Sequence, residues 1–167
     1  MSDGWGEPRS KTVSWHDPRA AAKRGRQLAG IDHLRAVRDG TLPGAPIAGL
    51  MAFRLTDVSD GDVVFRCTPD ESVYNPIGLV HGGLVCTLLD SVCGCAVQST
   101  LPVGMGYTSL EIKVSYLRPV HADGSELVAH GWVPRRGRRA SFAEGDVRGA
   151  DGKVVATATS TCLVFPV

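Results

Sequence analysis

From Gly83 to Ser99 the chain reads GLVCTLLDSVCGCAVQS, and Leu84, Val85, Cys86, Leu88, Leu89, Val92, Cys93, Ala96 and Val97 spread apolar side chains over every face of a helix. A surface helix keeps a broad polar side. This segment does not, so it has to be enclosed. At about 17 residues the run is far too long for a typical strand and suits a helix.

The flanking sequence supplies the enclosure. Before the helix, MAFRLTDV and DVVFRCT are short runs rich in Val and Phe, and SDG between them is a hairpin signal. After it, YTSLEIKVSYLRPV alternates, with Leu110, Ile112, Val114 and Tyr116 on one face and Glu111, Lys113 and Ser115 on the other. ELVAHGWVP, RASFAEGDVR and KVVATATSTCLVF follow, divided by the turn signals RRGR and ADG. Two strands, one helix and four strands with tight connections imply an α+β fold: a curved antiparallel β-sheet wrapped around one long central apolar helix.

At 167 residues, 43% apolar and 21% charged, the chain fits one globular domain with a short extension. The extension is residues 1–45 and the main domain 46–167. Eight of the 18 Lys and Arg precede Gly40 (Arg9, Lys11, Arg19, Lys23, Arg24, Arg26, Arg35 and Arg38), making a basic leader that is either a solvated face or a phosphate contact. Within it IDHLRAVRDG reads as a helix stopped at Gly40, and TLPGAP breaks the chain. A net charge of +1 gives no global field toward nucleic acid or an anionic membrane. The N-terminus lacks a signal-peptide core and no stretch reaches the roughly 18 apolar residues of a bilayer span, so a soluble cytoplasmic protein is expected. Five cysteines without CxxC spacing argue against a disulfide framework or zinc site, and the five histidines show neither HxxxH nor HExxH, so no metal is expected.

The chemistry concentrates in NPIGLVHGGLVCTLLD, Asn75–Asp90. Gly82 and Gly83 stand where loop becomes helix. The first N–H groups there lack intrahelical partners, the dipole is positive, and a reacting group can approach closely. Such a site suits a developing oxyanion, although paired glycines also serve turns and close packing. Asp90 interrupts the apolar run. Burying a carboxylate without partners costs several kcal/mol, so a buried Asp90 has either a chemical task or hydroxyl partners such as Thr87 and Ser91.

Asn75, then GLVHGG, then Asp90 nine residues after His81, then YTSLEIKVSYLRPV, resembles the hotdog-fold acyl-CoA thioesterases of the PaaI type. The likeness runs from about Pro46 to Phe165 and includes LLDSVCGCAVQSTLP and ATATSTCLVF. It implies a hotdog fold and hydrolysis of an acyl-CoA, with an aromatic or medium-chain acyl group. The family pattern gives the Gly82 N–H the polarisation of the thioester carbonyl, Asp90 the role of general base or nucleophile, and Asn75 the positioning of thioester or water. Ser109, ten residues before Pro119, matches the position that holds the water in some relatives, but it falls on the polar parity of its strand. His81 shapes the loop. Gly83 completes the substrate site, and a homodimer, or a tetramer built as a dimer of dimers, is implied.

A thioester is already activated, so a carboxylate base and an oxyanion hole suffice, without a Ser-His-Asp set or a cofactor; coenzyme A belongs to the substrate. The chain has no GxSxG elbow or Walker A loop, and GMGYTS lacks the third glycine of GxGxxG. In RRGRR, Arg138 and Arg139 are either coenzyme A phosphate ligands or part of a solvated turn, together with Arg135 and Arg136. The competing function is a non-catalytic acyl-CoA-binding or sensor protein on the same fold. A hotdog dehydratase would want its histidine against the acyl chain.

Overall fold

The computed structural model describes residues 4–167, and six strands wrap one helix within them. In chain order, α1 (Pro18–Gly25), α2 (Gly30–Arg38) and α3 (Pro46–Leu50) precede β1 (Phe53–Ser59) and β2 (Asp62–Cys67). The central helix α4 (Gly82–Ser99) follows, then β3 (Met105–Tyr116), β4 (Leu127–Arg135), β5 (Ala140–Arg148) and β6 (Val154–Pro166). The sheet is antiparallel throughout, ordered β1-β2-β4-β5-β6-β3, so β1 and β3 form its edges. Helices α1 and α3 were not expected. The first is short and begins at Pro18 under an Asp17 cap; the second occupies Pro46–Leu50, delaying the first strand to Phe53. The expected leader helix is α2, and Gly40 follows its last turn at φ 75°.

Alternation along β2, β4 and β5 turns Val63, Phe65, Cys67, Leu127, Ala129, Ala143 and Val147 toward α4, whose Leu88, Leu89, Val92, Cys93, Ala96 and Val97 are fully enclosed. Closest approach needs missing side chains. A Cβ on Gly131 of β4 would lie 2.5 Å from the backbone carbon and oxygen of Val92, so the helix sits directly on bare strand there. The leader joins the same core. Leu34 of α2 is buried within it, and the Gly30 N–H donates to the Leu101 carbonyl at 2.9 Å, holding α2 against the C-terminal end of α4.

Two expectations are corrected here. The enclosure of α4 is incomplete: Cys86, Thr87, Asp90, Ser91, Cys95 and Gln98 form an incompletely buried stripe, and Asp90 itself is exposed in the single protomer. Its carboxyl group therefore reaches solvent and needs no buried partner. Second, α4 does have the length and composition of a bilayer span, alone among the helices of the described residues, but 56% of it is buried inside the fold, which assigns it to the core.

Gly131→Ala is expected to lower stability by about 1–3 kcal/mol, because the new methyl meets backbone that cannot swing aside. Urea unfolding followed by circular dichroism checks this, with a lowered midpoint at unchanged slope as the expected result.

Candidate active site

The loop that delivers the chain to α4 is held from several directions. Asn75 Oδ1 accepts from the N–H groups of Ile77 and Leu79, both at 3.1 Å, while the Asn75 N–H donates to the Leu79 carbonyl at 2.8 Å. Its side-chain oxygen is thus committed to the turn, and its amide NH2 is the part left to meet a ligand. Val80 N–H donates to the Val120 carbonyl at 3.0 Å and His81 N–H to Val73 at 2.8 Å, tying the loop to its neighbours on both sides.

His81 is the N-cap of α4: its Nδ1 accepts from the Gly83 N–H at 2.8 Å. A Cβ on Gly83 would stand 2.8 Å from that same Nδ1, so the imidazole cap requires glycine there. Because the cap takes the Gly83 N–H, the Gly82 N–H is left over. It is the first in the helix and makes no hydrogen bond within the described residues. Tyr116, at the end of β3, lies beside it. Its hydroxyl donates to the Gly82 carbonyl at 3.0 Å, and a Cβ on Gly82 would be 3.2 Å from the ring. Desolvation raises the Tyr116 phenol, which keeps it a donor at neutral pH. Its inward parity was visible in the sequence, but its proximity to the glycines depends on how β3 packs across α4.

The second cluster is on the open stripe of α4. Ser109 Oγ donates to Asp90 Oδ1 at 3.1 Å. Strict alternation puts Ser109 on the wrong face for this contact, and a β-bulge resolves the conflict: Ser109 pairs with Cys162 and Glu111 with Thr161, so Leu110 is the extra residue. Tyr107 and Ser109 therefore face α4 before the bulge and Ile112 and Val114 after it. Leu110, expected on the apolar face, is instead 59% exposed. The thiols around this cluster are quiet. Desolvation, with help from neighbouring charges including Asp90, pushes Cys93 and Cys95 each up to about 12, which suppresses the thiolate. Desolvation also holds the Tyr107 phenol well above its ordinary range.

Gly82 and Asp90 belong to one helix and are separated by a rise of roughly 12 Å, so one protomer does not bring its own helix start and its own carboxylate together. Arg138 and Arg139 are exposed in the β4–β5 hairpin, at the other end of α4. That placement follows from Arg136, which pairs with Asp60 at 2.7 Å, and from Gly61, whose N–H donates to Ser99 Oγ at 2.7 Å. Among the described residues, no group of three His, Cys, Asp or Glu gathers as a metal site would require.

The thioesterase superfamily model matches residues 77–156, the span from the loop through α4, β3, β4 and β5 to the first residues of β6. A phenylacetic acid degradation-related protein of Ralstonia eutropha JMP134, known from its crystal structure, is 30% identical, with a TM-score of 0.71 over 78% of this chain and 98% of that one. The chain belongs to the thioesterase superfamily. Human acyl-coenzyme A thioesterase 13 is 29% identical over 108 residues, 64% of this chain and 76% of its own. The structure of smu.793 from Streptococcus mutans, bound to acetyl-CoA, is 26% identical, with a TM-score of 0.63 over 68% of this chain and 89% of that one. With this membership the fold is the hotdog fold and the protein is a thioester hydrolase.

Proposed function

We propose that the protein hydrolyses an acyl-CoA to free acid and coenzyme A at sites shared between two copies of the chain. The observation that carries this reading is the unpartnered Gly82 N–H at the head of α4, on the same helix as an exposed Asp90 but about 12 Å from it. Two α4 helices running antiparallel across a two-fold axis bring the glycine end of one to the carboxylate of the other, giving two equivalent sites. The surface favours such a pairing: β3 is an edge strand of 12 residues, and Leu110 at 59%, Tyr116 at 55% and the Asp90–Ser109 pair all lie uncovered along it or beside it.

In this reading the Gly82 N–H polarises the thioester carbonyl and holds the oxyanion. Asp90 from the other copy takes a proton from water as the water attacks the carbonyl carbon, or attacks it directly to form a mixed anhydride that water then hydrolyses, releasing the free acid and regenerating the carboxylate. On either route collapse of the tetrahedral intermediate expels the coenzyme A thiolate. Ser109 orients the carboxylate and the water; Asn75 positions the thioester through its free amide NH2. His81 and Gly83 fix the helix start, and no cofactor takes part. Arg138 and Arg139, far from their own Gly82, come within reach of the partner's helix start in the antiparallel pair, where they would meet the phosphates of coenzyme A. The acyl group is aromatic or of medium length, residues 46–167 form the thioesterase domain, the dimer pairs further into a tetramer, and the protein works in the cytoplasm.

The test is thiol release from a panel of acyl-CoAs. Asp90→Asn is expected to lower kcat by about 10²–10⁴-fold while coenzyme A still binds; near-normal turnover contradicts the role. Binding without thiol release from any acyl-CoA in the wild type would favour an acyl-CoA-binding module instead. Replacing both Arg138 and Arg139 with Ala is expected to raise KM about tenfold for full acyl-CoA and leave the matching acyl-pantetheine nearly unchanged; equal effects on the two exclude phosphate contact.

A further inference from the structure

The proposed chemistry uses Gly82 through its N–H and leaves its carbonyl and its bare α-carbon without a task. Both are taken by Tyr116. Its hydroxyl donates to the Gly82 carbonyl at 3.0 Å, and the place of a Cβ on Gly82 lies 3.2 Å from two ring carbons and 3.3 Å from the hydroxyl oxygen. The missing side chain therefore makes room for this ring. Tyr116 stands on a firm base. It pairs with Ala156 at the end of β3, the N–H groups of Leu117 and Arg118 both donate to the Val155 carbonyl, at 2.8 and 3.2 Å, and the Arg118 guanidinium donates to the Val154 carbonyl.

We propose that Tyr116 is a positioning residue for thioester hydrolysis, its hydroxyl holding the Gly82 peptide so that the Gly82 N–H keeps its aim at the thioester carbonyl. The inference rests on that N–H as the oxyanion donor. Two peptide planes meet at Gly82. The one carrying its N–H is held through the His81 carbonyl, which accepts from the Leu84 N–H at 3.0 Å; the next has its N–H on His81 Nδ1 at 2.8 Å and its carbonyl on Tyr116. The Leu84 and His81 bonds lie within the turn and move with it, whereas the Tyr116 bond ties the turn to the sheet. Such a tie matters here, because paired glycines give the turn more backbone freedom than any other residues and a helix start has the fewest intrahelical bonds. An oxyanion donor is effective only when aimed in advance at the developing charge. Tyr116 touches neither thioester nor water in this role and acts through Gly82 alone.

Removing an oxyanion donor outright costs about 10²–10³-fold in kcat, and a residue that only orients one costs less. Tyr116→Phe keeps the ring and deletes the hydroxyl. On the full-length protein, with the acyl-CoA of the panel that the wild type hydrolyses fastest, it is expected to lower kcat about tenfold and leave KM within about twofold. Amide hydrogen exchange followed by NMR supplies the second reading: Gly83 and Leu84 are expected to exchange several-fold faster in the variant, and Val92 and Ala96 at the wild-type rate. An unchanged kcat overturns the proposal. So does a raised KM at constant kcat, which assigns the hydroxyl to substrate binding. A lowered kcat without faster exchange at Gly83 and Leu84 also overturns it and makes Tyr116 a group that meets the reactants; faster exchange throughout α4 overturns it and reduces Tyr116 to general packing. Wild-type thiol release with an unaltered variant leaves the thioesterase reading standing and removes this inference alone, whereas no thiol release from any acyl-CoA removes both.

Discussion

An 18-residue helix with apolar side chains on nearly every side can be stable in water only if something is wrapped around it, and the burial of α4 organises the remainder of the molecule. The sheet curves around it, the glycine at 131 lets strand and helix backbones touch, and α2 covers its C-terminal end through Leu34 and the Gly30–Leu101 hydrogen bond. Enclosure stops along one stripe. That stripe carries Asp90, and the edge strand β3 runs beside it with Ser109 and Tyr116 turned toward the helix. The polar chemistry therefore gathers where a single copy of the fold runs out of apolar cover.

The start of α4 shows the same economy of parts. A helix start has unpartnered N–H groups, and the imidazole of His81 satisfies that of Gly83 and not that of Gly82. The remaining donor sits at the positive end of the helix dipole, beside a loop whose Asn75 oxygen is already committed to its own turn. Positive potential at one end of α4 and a carboxylate midway along it are complementary in sign but too far apart to act together within one chain. The proposed pairing of two copies would remove that separation.

Much of this was readable from sequence because it depends on local pattern. The six strands and α4 follow from alternation and from the length of the apolar run, and Gly40 ends α2 as its position suggested. What escaped depends on contacts between distant segments. The bulge at Leu110 reverses strand parity, so a strict two-residue period put Ser109 outward and Leu110 inward, each the reverse of the structure. The apolar neighbours of Asp90 in sequence imply burial, yet its exposure is decided by its place on the open stripe of α4 beside Ser109 of β3. Tyr116 lies within a strand pattern plain in the sequence, but only the packing of β3 across α4 brings it beside Gly82.

The account stands or falls on whether one site uses two chains, and complementation measures that directly. Gly82→Pro removes the N–H assigned to the oxyanion. The backbone of a first helical position accepts proline, and His81 already has the extended conformation that a residue before proline requires, while the Tyr116 ring, 3.2 Å from a Cβ at position 82, has to give way by a few tenths of an ångström. Gly82→Pro and Asp90→Asn chains, each without activity alone, are unfolded together and refolded as a mixture. Random pairing makes about half the dimers mixed, and each mixed dimer has one intact site and one doubly defective site, so thiol release of about a quarter of the wild-type rate is expected. A mixture no more active than the mean of the two variants, with mixed dimers demonstrated by native mass spectrometry, would contradict the shared site.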